Sequence, residues 1–158
     1  MKNLRKIQQF GLALLILFAL VGLIDSAAIH LKEIASLTDS TAFNSCKLNS
    51  TLDCSTVAKS EYSHIFGVPI SLLGALFYDA IAVFGSTLVF GFKPQRWQFW
   101  TATAIILSSL LYSFWLLFIS YFGIGALCPY CLVSDFSVAM VSIGWLLFAI
   151  PFLRSPKA

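Results

Sequence analysis

The segment CPYCLVSDFSVAMVSIGWLLFAIPF, running from Cys128 to Phe152, decides the reading of this chain. It is long and apolar enough for a membrane span, which takes roughly 20 helical residues to cross about 30 Å of hydrocarbon. It also opens on two cysteines in a CxxC pair. Three stretches of the same kind precede it, at about 10–29, about 68–92 and about 97–121. The first follows Lys2, Arg5 and Lys6, as a secretory signal would. Its apolar core is longer than a signal core and lacks a clear small-x-small cleavage site, so it reads as a retained helix. The 158 residues therefore predict a single domain over 1–158, an all-α integral-membrane four-helix bundle with one long connecting segment at about 30–66. Composition agrees, because only 11% of residues are charged, against about 25% in soluble domains. A net charge of +3, scattered along the chain, offers no surface for nucleic acid.

Basic residues orient the bundle, since they resist translocation. Lys2, Arg5 and Lys6 precede span one, Lys93 and Arg96 join spans two and three, and Arg154 and Lys157 follow span four, with no acid among them. Lys32, Lys47 and Lys59 on the other side are balanced by Glu33, Asp39, Asp53 and Glu61. Both termini are thus expected to be cytoplasmic, and the 30–66 segment and the turn near Gly123–Leu127 exoplasmic. All four cysteines then face the oxidising compartment: Cys46 and Cys54 in the long segment, Cys128 and Cys131 where span four enters the membrane.

A CxxC at a helix N-terminus stabilises a thiolate through the helix dipole and the free N–H groups, and the thiolate is the nucleophile of disulfide exchange. Cys46 and Cys54, with seven residues between them, are able to pair with each other or to approach the CxxC. One pair at the membrane boundary and one in a mobile loop form the arrangement of a relay between a water-soluble protein and a lipid-soluble oxidant. A structural clip and a four-thiolate zinc site are the competing readings, though the loop spacing suits no common zinc knuckle. Between the pairs, Asn44–Thr51 is polar and turn-like and contains the glycosylation pattern Asn49-Ser50-Thr51. From Asp53 onward, Val57, Ala58, Tyr62, Ile65 and Phe66 recur at helical spacing, which predicts a short amphipathic lid helix. Asp53 or Ser55 would cap it, Gly67 and Pro69 would break it, and Pro69 would enter the first turn of span two.

Cys46-x7-Cys54, then Ser60, then the run FGVPISLLGALFY from Phe66 to Tyr78, then Cys128-x-x-Cys131 keep one order and spacing. In these features, which cover about two-thirds of the chain, the sequence resembles the vitamin K epoxide reductase family. The resemblance implies a four-helix bundle around a quinone, a lid helix above it, and two-electron reduction of the quinone by dithiols. It implies that Cys46 takes the mixed disulfide with a partner, that Cys54 pairs transiently with Cys128, and that Cys131 acts on the quinone. Ser60, Phe66 and Ser71 would lie at the quinone site. Bacterial members work with a thioredoxin-fold oxidase of the DsbA type, which some carry fused at the C-terminus; here the partner is expected to be separate. Vertebrate members have asparagine and tyrosine where this chain has Ile70 and Asp135, so quinone reduction is expected over epoxide reduction. For the same reason a bacterial inner membrane is expected over a eukaryotic lumenal one. The resemblance leaves the quinone open: ubiquinone, menaquinone or phylloquinone. DsbB-type proteins share this logic but carry their CxxC in the first exoplasmic segment.

Acids within spans are costly, at roughly 2.5–3.5 kcal/mol on insertion scales. Asp135 lies four residues beyond Cys131, on the same helical face, and is expected either to hydrogen-bond the quinone or carry its protons, or to make a helix-packing hydrogen bond. Asp79 is expected to bond Ser108, Ser109, Tyr112 or Ser113 across the bundle, and Asp25 to be interfacial. Ser71, Gly74 and Ala75 form a small-residue packing patch on span two. Two other readings remain: a vitamin K quinone or epoxide reductase of a lumenal membrane, and a structural four-span protein with a disulfide-clipped loop. The second leaves the CxxC at a helix start without a purpose.

Overall fold

The computed structural model describes residues 2–39, 41–43, 46 and 52–154. The turn-like stretch Asn44–Thr51 and its glycosylation pattern lie outside them apart from Cys46, as does Lys157. Four helices dominate: α1 (Lys2–Ala35), α3 (Ile70–Val89), α4 (Arg96–Ile119) and α5 (Pro129–Arg154), with a five-residue α2 (Cys54–Ala58) between the first two. All four are long and apolar enough to cross a membrane, α4 continuing through a π-helical turn at Ser120–Ile124. This is a multi-pass helical membrane bundle. Its outer surface carries Leu17, Ile24, Leu76, Val83, Leu111 and Phe118 exposed, as a lipid-facing surface does.

The first helix is longer than its apolar stretch. Its 34 residues extend to about 51 Å at 1.5 Å per residue, well beyond about 30 Å of hydrocarbon. The connecting segment therefore starts at Ser36 rather than near His30, because Leu31-Lys32-Glu33-Ile34-Ala35 is made of sound helix formers. The consequence is that His30, Lys32 and Glu33 stand on a rigid element.

Helix α1 packs along both α3 and α5, while α4 leans mainly on α5. The α1–α5 contact is backbone to backbone. A Cβ on Gly144 would stand 2.7 Å from the Gly11 carbonyl oxygen and 2.8 Å from the Leu15 nitrogen. Without hydrophobic drive between spans, such close approach supplies the packing. Around it lie Leu15, Ala19, Tyr78, Ile81, Phe99, Ile106, Val141 and Trp145, all buried. Trp145 donates from Nε1 to Thr103 Oγ1 at 3.0 Å, joining α5 to α4. The aromatics of α4 mostly face outward: Trp100, Phe114, Trp115, Phe118, Tyr121 and Phe122 are exposed.

The lid is not one amphipathic helix. Asp53 caps α2, its Oδ1 accepting from the Ser55 N–H at 2.9 Å, but the helix ends at Ala58. Ser60 is extended (φ −72°, ψ 156°), a 3₁₀ turn covers Glu61–Ser63, and β1 (His64–Ile65) then pairs antiparallel with β2 (Val68–Pro69). Phe66 and Gly67 form the hairpin turn, both with positive φ, at 50° and 80°. The apolar spacing that suggests a helix arises here from three short pieces folded over the same end of the bundle. Val57 and Ala58 cover the cysteines, and Tyr62 meets Trp115 edge-on at 6.1 Å. Pro69 caps α3 from just outside, one position earlier than its expected place in the first turn.

Candidate active site

Two backbone contacts bring the cysteine pairs together. Leu52 bridges Leu127 in parallel, and the Asp53 N–H donates to the Leu127 carbonyl at 3.1 Å. Gly125, at φ 71°, turns the chain out of the π-helical turn into this bridge, a conformation that glycine adopts without strain. The residues that follow on each side are Cys54 and Cys128. Cys54 is disulfide-bonded to Cys46, and the Cys128 thiol donates to Cys54 Sγ at 3.2 Å. The sulfurs of Cys46, Cys54 and Cys128 lie within 4.8 Å of one another, each residue at most 2% exposed. Phe43, Ile29, Val57 and Tyr130 close around them.

Pro129 opens α5, which leaves Cys128 as its cap: the Cys131 N–H donates to Cys128 Sγ at 3.4 Å. Cys128 sits just before the span. Its pKa is held below the ordinary thiol value, chiefly by the hydrogen bond from the Cys131 side chain and, against the effect of burial, by the backbone N–H groups of Cys131 and Tyr130. Cys128 and Cys131 are both free thiols.

Beneath them is a cavity of about 160 Å³, lined among others by Cys54, Cys128, Cys131, Ser60, Ser71 and Asp135. Asp135 accepts a short hydrogen bond from Ser113 of α4. A second hollow of about 260 Å³ adjoins it between α3, α4 and α5, sharing Ile70, Gly74, Leu116, Ser134 and Asp135 as walls. Helices α3 and α4 make no extensive contact, so this hollow follows the seam between them. A chamber with an apolar lining that also carries hydroxyls, three carboxyls and two free thiols, continued by an apolar groove, suits a flat ring with polar oxygens and a hydrocarbon tail.

The model of the vitamin K epoxide reductase family matches residues 13–148, which hold both cysteine pairs and nearly all of the bundle. The chain belongs to the vitamin K epoxide reductase family. It is accordingly a membrane protein of an oxidoreductase family. No curated protein sequence matches it. Of the positions expected at the site of this family member, Cys54, Cys128, Cys131, Ser60, Ser71 and Asp135 converge on the cavity, as does Ile70. Cys46 backs Cys54 from outside it. Phe66 is not brought in: at the tip of the hairpin it is fully exposed, because its positive φ turns it away from the bundle.

Asp79 also departs from expectation. It is exposed on the outer side of α3, since its neighbour Tyr78 takes the inward direction and donates to the Ser134 carbonyl at 2.7 Å. Its expected partners are engaged elsewhere: Ser108 and Ser109 bond Ile105 O of their own helix, Ser113 bonds Asp135, and Tyr112 stacks on Trp115. Asp25, expected at the interface, is buried and faces the cavity. Sequence reasoning missed that acid, and also the group formed by Glu33, His30, His64 and Ser71. The only available signal was that the chain's two histidines both fall in the segment around the cysteines.

Proposed function

We propose that this protein oxidises the dithiol of a thioredoxin-fold protein of the DsbA type and passes the two electrons to a membrane quinone, so supporting disulfide formation. The observation that carries the reading is the 3.2 Å contact between Cys54 and Cys128, which joins the loop disulfide to the thiols of the cavity. Thiol–disulfide exchange needs a thiolate adjacent to a disulfide sulfur. The partner's thiolate attacks Cys46, Cys54 leaves, and the partner's second thiol releases its own disulfide. Cys54 then attacks Cys128 of an oxidised CxxC and frees Cys131. Cys46 attacks Cys54 in turn, restoring the loop disulfide and leaving Cys128 and Cys131 reduced. That last state matches the one described here, with Cys46–Cys54 bonded and Cys128 and Cys131 free. A bound quinone supplies a two-electron acceptor. Cys131 delivers the pair as Cys128 closes on it, and two protons complete the hydroquinone. The position of Asp135 on the cavity wall, bonded to Ser113, supports a role for it in hydrogen-bonding the ring oxygen. Ile70 and Asp135, where vertebrate members have asparagine and tyrosine, favour a plain quinone over the epoxide.

The distribution of basic residues supports an orientation with the cysteine-bearing end on the exoplasmic side, in a bacterial cytoplasmic membrane. The test of the reaction is turnover in detergent with a reduced DsbA-type protein and a short-chain quinone, followed by quinone absorbance. Cys131→Ala is expected to abolish it. Undiminished turnover in that variant, with both substrates shown to bind, would sink the assignment.

A further inference from the structure

Hydroquinone formation consumes two protons inside the cavity, whereas oxidation of a partner dithiol releases two into water. Resting on the reaction proposed above, we infer that Glu33, with Ser71, His30 and His64, is a proton relay between the aqueous phase at the cysteine-bearing end and the cavity.

Glu33 and Ser71 both line the cavity. The Ser71 hydroxyl donates to Glu33 Oε2 at 2.8 Å. With its only hydrogen so used, the Ser71 oxygen accepts from His30 Nδ1 at 3.1 Å. The other carboxylate oxygen, Oε1, lies 3.4 Å from His64 Nε2, and the His64 side chain is 45% exposed, against 18% for Glu33. Ser63 Oγ, 2.8 Å from His64 Nδ1, holds the ring from its other side. One carboxylate thus has an oxygen toward the cavity and an oxygen toward water, and an imidazole on each route. Among the other charged groups described near this end are Lys32, whose ammonium lies 5.7 Å from the centre of the Tyr130 ring, Asp25 and Asp135 on the cavity wall, and Asp53, Lys59 and Glu61 in the lid segment. In each turnover the Cys128 thiolate and the Cys131 thiol close to a disulfide, the quinone takes the electron pair, Cys131 gives one proton, and the second enters by way of His64, Glu33 and Ser71.

The contact between His64 and Glu33 also ties the hairpin to α1, so a brace has to be told from a relay. Two steps separate them. Hydroquinone formation in a single turnover of fully reduced protein with a short-chain ubiquinone analogue needs one proton beyond the one that Cys131 carries. Exchange between a reduced thioredoxin-fold protein and the Cys46–Cys54 disulfide, without quinone, does not. Glu33→Gln and His64→Gln are expected to slow the first about a hundredfold and about tenfold, within the usual reach of general acid–base catalysis. Both should flatten its pH profile and leave the second step unchanged, and Glu33→Asp should recover part of the loss. Unchanged hydroquinone formation in both variants, or equal slowing of both steps, would overturn the relay alone. A wild-type protein that reduces no quinone would overturn the proposed reaction and the relay with it.

Discussion

At the scale of single residues, the chemistry turns on the position of Cys128. As the cap of α5 it takes hydrogen bonds that favour the thiolate, so its reactivity is set by pH in a definite direction. The thiolate is the form that reacts, and a lowered pKa keeps it populated as the pH falls below the ordinary thiol value of about 8.5. Alkylation of Cys128 by iodoacetamide in the reduced protein, followed by peptide mass against pH, is expected to have its midpoint below that value. In Cys131→Ala, which removes the largest stabilising hydrogen bond, the midpoint should move upward. A midpoint at or above about 8.5 in the unaltered protein would contradict the capping argument. The roles legible at this scale were those set by short spacing. Asp135 was found because i, i+4 on a helix is a fixed geometry, and the CxxC because Pro129 marks a helix start. Asp25 and Glu33 were not found, since what makes them notable is the approach of α3 and the hairpin to α1, about forty residues away in sequence.

At the scale of elements, the long helices were legible because twenty or more apolar residues leave the backbone no alternative in lipid. Their ends were less so: α1 continues through a polar stretch that is still strongly helical. The lid was misread because spacing alone does not report a change of backbone state between Ala58 and His64. The small-residue patch read from the sequence, at Ser71, Gly74 and Ala75, is where α3 meets α1, with Gly74 against Ser26. The tighter Gly11–Gly144 contact went unread, for its two members are far apart in the chain. It makes a clear prediction. In an open helix, alanine is favoured over glycine by about 1 kcal/mol. Here the added methyl meets backbone atoms of α1 that have no rotamer with which to yield, and overpacking costs about 1–3 kcal/mol. Gly144→Ala should therefore lower thermal stability in detergent, measured by circular dichroism; a rise would mean that the helices part freely.

At the scale of the whole molecule, the cysteines, the cavity and the relay sit at one end of the bundle, and the seam between α3 and α4 runs from there toward the middle of α3. The bundle itself has no preferred direction in a bilayer; the uneven placement of Lys and Arg supplies one. Among the described residues, Lys2, Arg5, Lys6, Lys93, Arg96 and Arg154 belong to the end opposite the cysteines or to its flanks. A fluorescent protein joined after Ala158 is expected to shine in a bacterial host, and an alkaline phosphatase joined there to be inactive. The reverse pattern would invert the bundle and place the thiols in a reducing compartment.

The bridge between Leu52 and Leu127 has a consequence for leakage. Small thiols in the surrounding fluid compete with every protein disulfide in proportion to their concentration. By anchoring the residues just before Cys54 and Cys128 to each other, the bridge orients an intramolecular sulfur-to-sulfur step, and well-oriented steps of this kind reach effective concentrations of about 10⁵ M or more. No soluble thiol approaches that figure. Two paired backbone segments would thus insulate the electron path proposed above, much as a sheath does a wire.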